Sequence, residues 1–185
     1  MDEHFADNRR QWPDDPQSTA WFAGGAYRLF ARQAGQFVAV SMPGLKPVRG
    51  AVVTARFQKI SGPPGGGYGL IVLDEGPDPL DGKNQRGRFY VLEVNDVGQM
   101  GAWRRDDDHW VELEPWTPSP VVQPGTAINE LTTRVSGSQL DFSINGTLAW
   151  TVISDNLPAE GTVGVFVGGD LNEVALEQMT VQVPE

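Results

Sequence analysis

Apolar and polar residues alternate along most of the chain in short runs that are typical of β-strands. From residue 26 onward each run is bounded by Gly, Pro, Asn or Asp, the residues that favour turns. No stretch of useful length repeats with the period of a helix. The pattern predicts strands over residues 26–30, 36–40, 51–60, 68–73, 89–94, 130–135, 140–144, 148–152, 163–167 and 173–183.

The alternation also predicts which side of several strands is buried, because neighbouring side chains on a strand point to opposite faces. In residues 140–144 the apolar side chains share one face, and residues 163–167 give a second inward row. Residues 173–183 alternate in the same way, so we expect them to join a sheet. Many short strands separated by turns favour an all-β fold, a two-sheet antiparallel β-sandwich of the jelly-roll type.

Turn residues predict how some strands are connected. Asn145-Gly146 lies between two strands and favours a tight type I′ hairpin, in which both central residues need a positive φ. Asn145-Gly146-Thr147 is also a glycosylation sequon, but the turn alone explains both residues. Residues 62–67 predict a flexible hairpin loop, and residues 103–125, with three tryptophans among prolines and charges, predict a long ordered loop or edge.

The size and composition of the chain are consistent with one folded domain over residues 1–185. With 39% hydrophobic and 21% charged residues, the chain has enough apolar material for a core and too little charge for disorder. Twenty-two glycines and fourteen prolines are spread along the whole length, as many short strands and turns require.

Charge and cysteine content exclude several classes of function. A net charge of −10 repels nucleic acids and anionic membranes, and no run of about 18 apolar residues predicts a membrane span. The absence of cysteine excludes thiolate catalysis, disulfides and cysteine-ligated metals. Residues 1–4 do not resemble a signal peptide. We expect an extracellular or cell-surface location with the leader or anchor outside this sequence, and a cytoplasmic location is the alternative.

Several short motifs follow one another in an order that points to a family. They are Phe5-Ala6-Asp7-Asn8 with Trp12, Gly25-Ala26-Tyr27-Arg28-Leu29, Gly67-Tyr68-Gly69-Leu70, Phe89-Tyr90-Val91-Leu92-Glu93-Val94, Trp110 with Leu113, Asn129-Glu130-Leu131, Phe142-Ser143-Ile144-Asn145-Gly146 and Gly161-Thr162-Val163-Gly164-Val165. Their serial order resembles the concanavalin A-like lectin and glucanase superfamily, especially bacterial laminin-G-like or 3-keto-disaccharide-hydrolase-like domains. The resemblance implies two antiparallel sheets, one of them concave, with ligands held on the concave face or at its rim.

The same resemblance locates a motif in which catalysis can be checked. Glycosidases need two carboxylates that face each other across the scissile bond, and the glucanase relatives carry acids at positions one, three and six of a strand. Here the corresponding positions hold Glu93, Asn95 and Gly98. The expected catalytic pair is therefore missing. We expect Glu93 to be the cross-strand partner of Arg56 or Arg88, with a role as a hydrogen-bond acceptor for a ligand as the alternative.

A sugar site in such a fold would combine flat aromatic rings with a few polar groups that fix orientation. In a β-sandwich each tryptophan is more often a core or loop anchor, so the candidates indicate a place rather than a set of contacts. The candidate ligand-binding residues are Tyr68, Arg88, Tyr90, Glu93, Trp103, Arg104, Trp110 and Trp116.

Calcium is the one cofactor that the acidic loops would suit, because it takes oxygen ligands from closely spaced carboxylates. Asp74, Asp78 and Asp81 are the first place to look, and residues 104–109 are the second. Neither stretch has the order of a dedicated calcium loop, so solvated acidic turns are the favoured interpretation.

These observations favour a non-catalytic binding or adhesion module for a carbohydrate or a protein partner. One alternative is a carbohydrate-active enzyme, a glycoside or keto-glycoside hydrolase that uses Glu93. A second alternative is a structural or assembly domain that packs through an exposed edge strand.

Overall fold

The chain folds into strands only, as a computed structural model that describes residues 1–76 and 87–184 shows. Within that part no segment is helical, so none forms a helix that could cross a membrane. The fourteen strands are β1 (Asp2–Glu3), β2 (Ala20–Ala23), β3 (Ala26–Ala31), β4 (Val38–Ser41), β5 (Gly50–Ser61), β6 (Gly67–Asp74), β7 (Arg88–Asn95), β8 (Gln99–Asp106), β9 (His109–Pro118), β10 (Asn129–Ser136), β11 (Gln139–Ile144), β12 (Thr147–Ile153), β13 (Thr162–Val167) and β14 (Asn172–Gln182).

The strands form two antiparallel sheets. The six-stranded sheet has the order β4-β13-β6-β7-β8-β9. The eight-stranded sheet has the order β12-β11-β10-β5-β14-β3-β2, and β1 pairs with β14 beside this path. This is the predicted two-sheet sandwich, and the strand predicted over residues 173–183 is β14 (Asn172–Gln182), which lies in the middle of a sheet.

One apolar cluster joins the two sheets, and it contains the rows that alternation predicts. Leu140, Phe142 and Ile144 are fully buried in it, and so are Val165 and Val167. Because neighbouring residues point to opposite faces, the rest of each strand faces outward.

The central strands of the six-stranded sheet are buried on both faces. Every residue of β6 and β13 is buried, and so is β7 after its first residue. Their outward side chains belong to a second apolar cluster on the outside of the sheet, whose members are Phe37, Ala39, Ile71, Phe89, Val91 and Phe166. The outer face is therefore covered by its own aromatic residues at one end.

The hairpin at Asn145-Gly146 is confirmed. Asn145 and Gly146 have φ values of 51° and 79° between β11 and β12. The Asn145 side-chain amide donates to Val121 O at 2.8 Å and to Asn129 Oδ1 at 2.9 Å. Both amide hydrogens are thus engaged, which supports the turn interpretation of the sequon.

One connection differs from the prediction, and one region takes the second of its two predicted forms. Residues 62–67 do not close a hairpin, since they carry the chain from β5 in one sheet to β6 in the other. Residues 103–125, predicted as a long ordered loop or edge, contain the end of β8 and all of β9, which is an edge strand of the six-stranded sheet. Bulges between β8 and β9 shift the register there, so apolar and polar residues do not alternate regularly in this part of the sequence.

Candidate functional site

A cleft of about 430 Å³ opens on the outer face of the six-stranded sheet. It lies beside the second apolar cluster, and loops from the strand ends form its rim. The residues that line it are Gly35, Gln36, Phe37, Gly65, Gly67, Glu93, Trp103, Trp110, Trp116, Phe166, Gly168, Gly169 and Asp170.

Glycines make room for the large side chains of the cleft. A Cβ atom on Gly67 would overlap Glu93 Oε2 and would lie 3.0 Å from Trp116 Cη2, so the carboxyl group and the Trp116 ring lie side by side above this glycine. A Cβ atom on Gly101 would overlap the ring of Trp103 in the same way. Glycine is required at both positions because a side chain packs directly on the backbone.

Trp103 and Trp116 form an aromatic pair in the cleft. Their ring centroids are 4.9 Å apart and their planes are tilted by 58°. Both side chains are only partly buried. Trp103 lies on β8 in register with Val91, and Trp116 comes from β9, so the pair depends on the bulged pairing of these two strands.

Trp110 closes the other end of the cleft. Its ring packs edge-on against Phe37 at 5.3 Å and against Phe166 at 5.9 Å. The Arg105 guanidinium lies 4.9 Å from the Trp110 ring centroid, in cation–π distance. These three contacts fix the position of the Trp110 ring at one side of the cleft, although 40% of the residue's surface remains exposed.

Glu93 is the buried acid of the cleft. Only 6% of the residue is exposed, and its Oε2 atom makes no hydrogen bond within the described residues. Burial raises the pKa of the Glu93 carboxyl from 4.5 to about 8, because a charged carboxylate there would lose its hydration without gaining a partner. At neutral pH the carboxyl group is mostly protonated.

The expected cross-strand partners of Glu93 are wrong. Arg56 pairs with Glu177 at 3.9 Å, and Arg88 pairs with Glu75 at 3.7 Å. Both arginines are used elsewhere on the surface. The acceptor role of Glu93 toward a ligand, the alternative drawn from the sequence, stays a prediction.

In this chain the two positions that hold acids in the glucanase relatives are part of a turn. Asn95 Oδ1 accepts hydrogen bonds from the backbone N–H groups of Val97 and Gln99. Gly98 adopts a φ of 84°, which favours glycine. Asn95 and Gly98 thus shape the hairpin between β7 and β8, and neither supplies a second carboxylate beside Glu93.

The eight candidate ligand-binding residues do not form one group. Glu93, Trp103, Trp110 and Trp116 line the cleft. Arg88, Tyr90 and Arg104 line a separate cavity of about 370 Å³, where Arg104 donates to Asp106 at 2.6 Å. Tyr68 lies in the core with its hydroxyl accepting from Asn129 Nδ2 at 3.1 Å, and burial raises the pKa of that hydroxyl to about 12.

Three polar contacts fix one side of the rim. The Lys59 ammonium, buried at 4% exposure, donates to Pro63 O at 2.6 Å and pairs with Asp96 at 3.1 Å. Asp96 Oδ1 also accepts from the Gly65 N–H at 2.7 Å. The loop between β5 and β6 is thereby tied to the turn between β7 and β8.

Asn172 fixes the other side. Its side-chain amide donates to Gly67 O at 3.0 Å and to Gly168 O at 2.8 Å, and so joins the start of β6 to the end of β13. The glycines of the cleft are held in place from both sides.

Sequence reasoning missed several residues that line the cleft. Phe37 and Phe166 are placed there by strand order, which pairs β4 with β13, and a sequence does not reveal that order. Gly67 also lines the cleft, and it carried a signal in the sequence, since a glycine inside a strand often marks a close approach. Asp170 sits in the loop before β14, where its carboxylate accepts from the Gly35 N–H at 2.9 Å.

The calcium site stays a prediction. Asp74 is buried and accepts hydrogen bonds from Ser41 Oγ at 2.6 Å and from the Gly76 N–H at 2.9 Å. Asp78 and Asp81 lie outside the described residues. Within residues 1–76 and 87–184 no three His, Asp or Glu side chains are grouped closely enough to hold a metal ion.

Comparison with known families and curated proteins gives no match to this chain. Solved structures do match it. A β-glucanase of Bacillus licheniformis has a TM-score of 0.68 at 9% identity, over 100% of this chain and 98% of its own. A carbohydrate-binding module of Bacillus subtilis, CBM66, has a TM-score of 0.66 at 10% identity, over 92% of this chain and 90% of its own.

A third structure is described as a Bacillus subtilis protein of unknown function with a galectin-like fold. Its TM-score is 0.65 at 15% identity, over 89% of this chain and 85% of its own. The finer resemblance to laminin-G-like or 3-keto-disaccharide-hydrolase-like domains is not confirmed by these structures. Together they show that the chain has the jelly-roll, concanavalin A-like sandwich fold.

Proposed function

We propose that the protein is a non-catalytic carbohydrate-binding module and that it binds its ligand in the cleft of the six-stranded sheet. The observation that carries this proposal is the Trp103–Trp116 pair beside Glu93 in a cleft of about 430 Å³. Aromatic rings stack on the apolar faces of sugar rings, and a few polar groups then fix orientation. The likeness to lectin-like and carbohydrate-binding folds supports the same class of ligand.

The absence of a catalytic pair supports binding over hydrolysis. Among the described residues that line the cleft, the only carboxylates are Glu93 and Asp170. Asp170 is tied to the Gly35 backbone, and the positions of the glucanase acids are occupied by Asn95 and Gly98. A protein partner in place of the glycan is a competing outcome of the experiments below.

The test is truncation of the stacking pair. We expect Trp103→Ala and Trp116→Ala each to weaken binding to an oligosaccharide by about 2 kcal/mol, the usual cost of removing a central aromatic contact. Isothermal titration calorimetry against a panel of soluble glycans measures this. Trp21→Ala is the matched control, because Trp21 is a partly buried tryptophan on β2 in the opposite sheet.

Unchanged affinity in both cleft variants, with circular dichroism showing an intact fold, would refute the proposal. A panel without any bound glycan, together with specific capture of a protein, would favour the protein partner.

A second candidate function rests on Glu93 alone. A carboxyl group that keeps its proton at neutral pH can serve as a general acid toward a glycosidic oxygen, so a glycoside or keto-glycoside hydrolase remains the alternative. Turnover of a glycoside that is lost in Glu93→Gln, with unchanged stability, would support it. We expect no turnover across the panel.

An extracellular or cell-surface location belongs to the same proposal, since polymeric glycans are found there. Fractionation of cells that express the natural full-length gene product tests this location. Recovery of the protein only from the cytoplasm would contradict it.

A further inference from the structure

We propose that the ligand carries an ammonium group, as an unacetylated amino sugar does, and that this group pairs with Glu93. This inference rests on the proposed carbohydrate binding and adds the chemical class of the sugar. Three features support it: the burial of Glu93, the charges around the cleft and the two tryptophans.

The first step is the unsatisfied acid. Glu93 lines the cleft, is more than nine-tenths buried, and has an oxygen without a hydrogen-bond partner within the described residues. A buried polar group in this condition lowers the stability of the protein. A cation that enters the cleft offers this carboxylate the charge-assisted hydrogen bond that the folded chain does not provide.

The second step is the sign of the surrounding charge. The titratable side chains that line the cleft within the described residues are both acidic, Glu93 and Asp170, and the whole chain has a net charge of −10. An anionic sugar would therefore find no basic side chain lining the cleft, whereas a cationic one would be attracted by Asp170 and by Glu93 once Glu93 has lost its proton.

The nearest cations are already engaged. The Lys59 ammonium pairs with Asp96, and the Arg105 guanidinium lies against the Trp110 and Phe37 rings. Burial is the cause of the raised Glu93 pKa, and no charged neighbour contributes to it.

Most of the charges on the elements packed around Glu93 are engaged with other groups. On β6 Glu93 lies against glycine, and on β8 its neighbour across the strands is Gly101. On β8, Arg104 pairs with Asp106, and Arg105 lies against the Trp110 ring. On β9, Glu112 lies opposite Trp103, and Glu114 accepts from Thr117 Oγ1. Asp96 in the β7–β8 turn pairs with Lys59, and Asp170 accepts from the Gly35 N–H.

The third step is the aromatic pair. Trp116 lies beside the carboxyl group over Gly67, and Trp103, which contacts Trp116, packs over Gly101, the β8 neighbour of Glu93. Tryptophan is the ring that attracts a cation most strongly, so a carboxylate beside these two rings suits an ammonium group better than a hydroxyl group, which gains less from the ring quadrupoles. The same rings still stack on the sugar itself.

Pairing with a cation requires Glu93 to lose its proton. Because the pKa of Glu93 is about 8, the proton must be removed at a cost at pH 7. This cost lowers the affinity for the ammonium group about tenfold, compared with a carboxylate that is already deprotonated. When the sugar arrives as the ammonium, the Glu93 proton leaves to the buffer, and when it arrives as the neutral amine, the Glu93 proton passes to the amine and none is released. Binding should therefore release a proton near pH 6, where an amino sugar is mostly protonated, and neutral sugars should bind without this release.

The experiment compares three tetrasaccharides by isothermal titration calorimetry: β-1,4-linked glucosamine, its fully N-acetylated form and the corresponding neutral glucose tetramer. At pH 7 we expect the glucosamine tetramer to bind at least tenfold more tightly than the other two. Titrations at pH 6, in buffers with different ionisation enthalpies, should show proton release for this tetramer only.

Glu93→Gln keeps the shape of the side chain and removes its charge. We expect this variant to lose the preference for the glucosamine tetramer and its proton release, while neutral sugars bind as before. Glu130→Gln is the matched control, because Glu130 is an exposed acid on β10 in the opposite sheet and does not line the cleft. It should retain the preference.

The outcomes separate the two proposals. Equal or tighter binding of the neutral tetramers, lost in Trp103→Ala, would overturn the ammonium preference and leave carbohydrate binding intact. An unchanged preference in Glu93→Gln would also overturn the pairing. If none of the three tetramers and no glycan of the wider panel binds, the proposed function itself is refuted.

Discussion

Glu93 has a second consequence at the scale of the single residue, because its proton is linked to folding. Its pKa is about 8 in the folded protein and near 4.5 in an unfolded chain, so the folded state binds the proton more tightly. A raised folded-state pKa stabilises the protein fully below pH 4.5, and this stabilisation is lost as pH rises toward 8.

We therefore expect the free energy of unfolding to fall between pH 5 and pH 8, by at most about 1.4 kcal/mol per pH unit from this group. Glu93→Gln should flatten the profile, since a neutral amide does not titrate. Urea unfolding at a series of pH values measures both. A wild-type profile parallel to that of the variant would show that Glu93 titrates near its ordinary pKa.

Single residues also show how far sequence reasoning reaches. Tyr68 alternates with Gly67 and Gly69 and shares its face with Leu70, so its place in the core could have been predicted from period-two burial. The contact between Glu93 and Trp116 could not have been predicted from the sequence. It depends on strand pairing and on bulges between β8 and β9, which are long-range features that local alternation does not contain.

At the scale of elements, the rim depends on a buried ion pair between β5 and the β7–β8 turn. The side chains of Lys59 and Asp96 are 5% and 13% exposed, and Asp96 also holds the Gly65 N–H. Removing one charge of such a pair leaves the other buried without compensation. The loop that carries Gly65 would then lose its anchor at the cleft.

We expect Asp96→Asn to lower the free energy of unfolding by about 3 kcal/mol and to weaken glycan binding as well. The matched control is Glu160→Gln, since Glu160 and Arg49 form an exposed pair at 4.0 Å, whose loss should cost less than about 1 kcal/mol. Chemical denaturation of both variants gives the comparison. Equal effects in the two variants would show that the Lys59 contact does not stabilise the rim.

Element prediction was accurate where alternation is regular and failed where it is broken. The strands β10 and β11 follow the predicted residues closely because every second side chain is buried. In β9 no residue is fully buried, and prolines and charges interrupt the pattern, so the sequence did not distinguish an edge strand from a long loop. The crossing of residues 62–67 between sheets was missed because glycine-rich turns and crossovers have the same composition.

At the scale of the whole molecule, charge decides which polymers the surface will accept. The net charge is −10 and no lysine or arginine lines the described part of the cleft. We expect no gel shift with duplex DNA or RNA at 50 mM salt, where phosphate contacts are strongest. A shift that disappears at higher salt would reveal a basic surface that this charge distribution does not contain.

The position of β14 constrains how the molecule is made. This strand (Asn172–Gln182) lies between β3 and β5 and also pairs with β1. These three strands therefore cannot complete their pairing until β14 has been synthesised. The larger sheet can close only after residues 172–182 have left the ribosome, and pairings this distant in sequence form slowly. Until then β3 and β5 each expose an unpaired edge, which is the kind of surface on which aggregation begins.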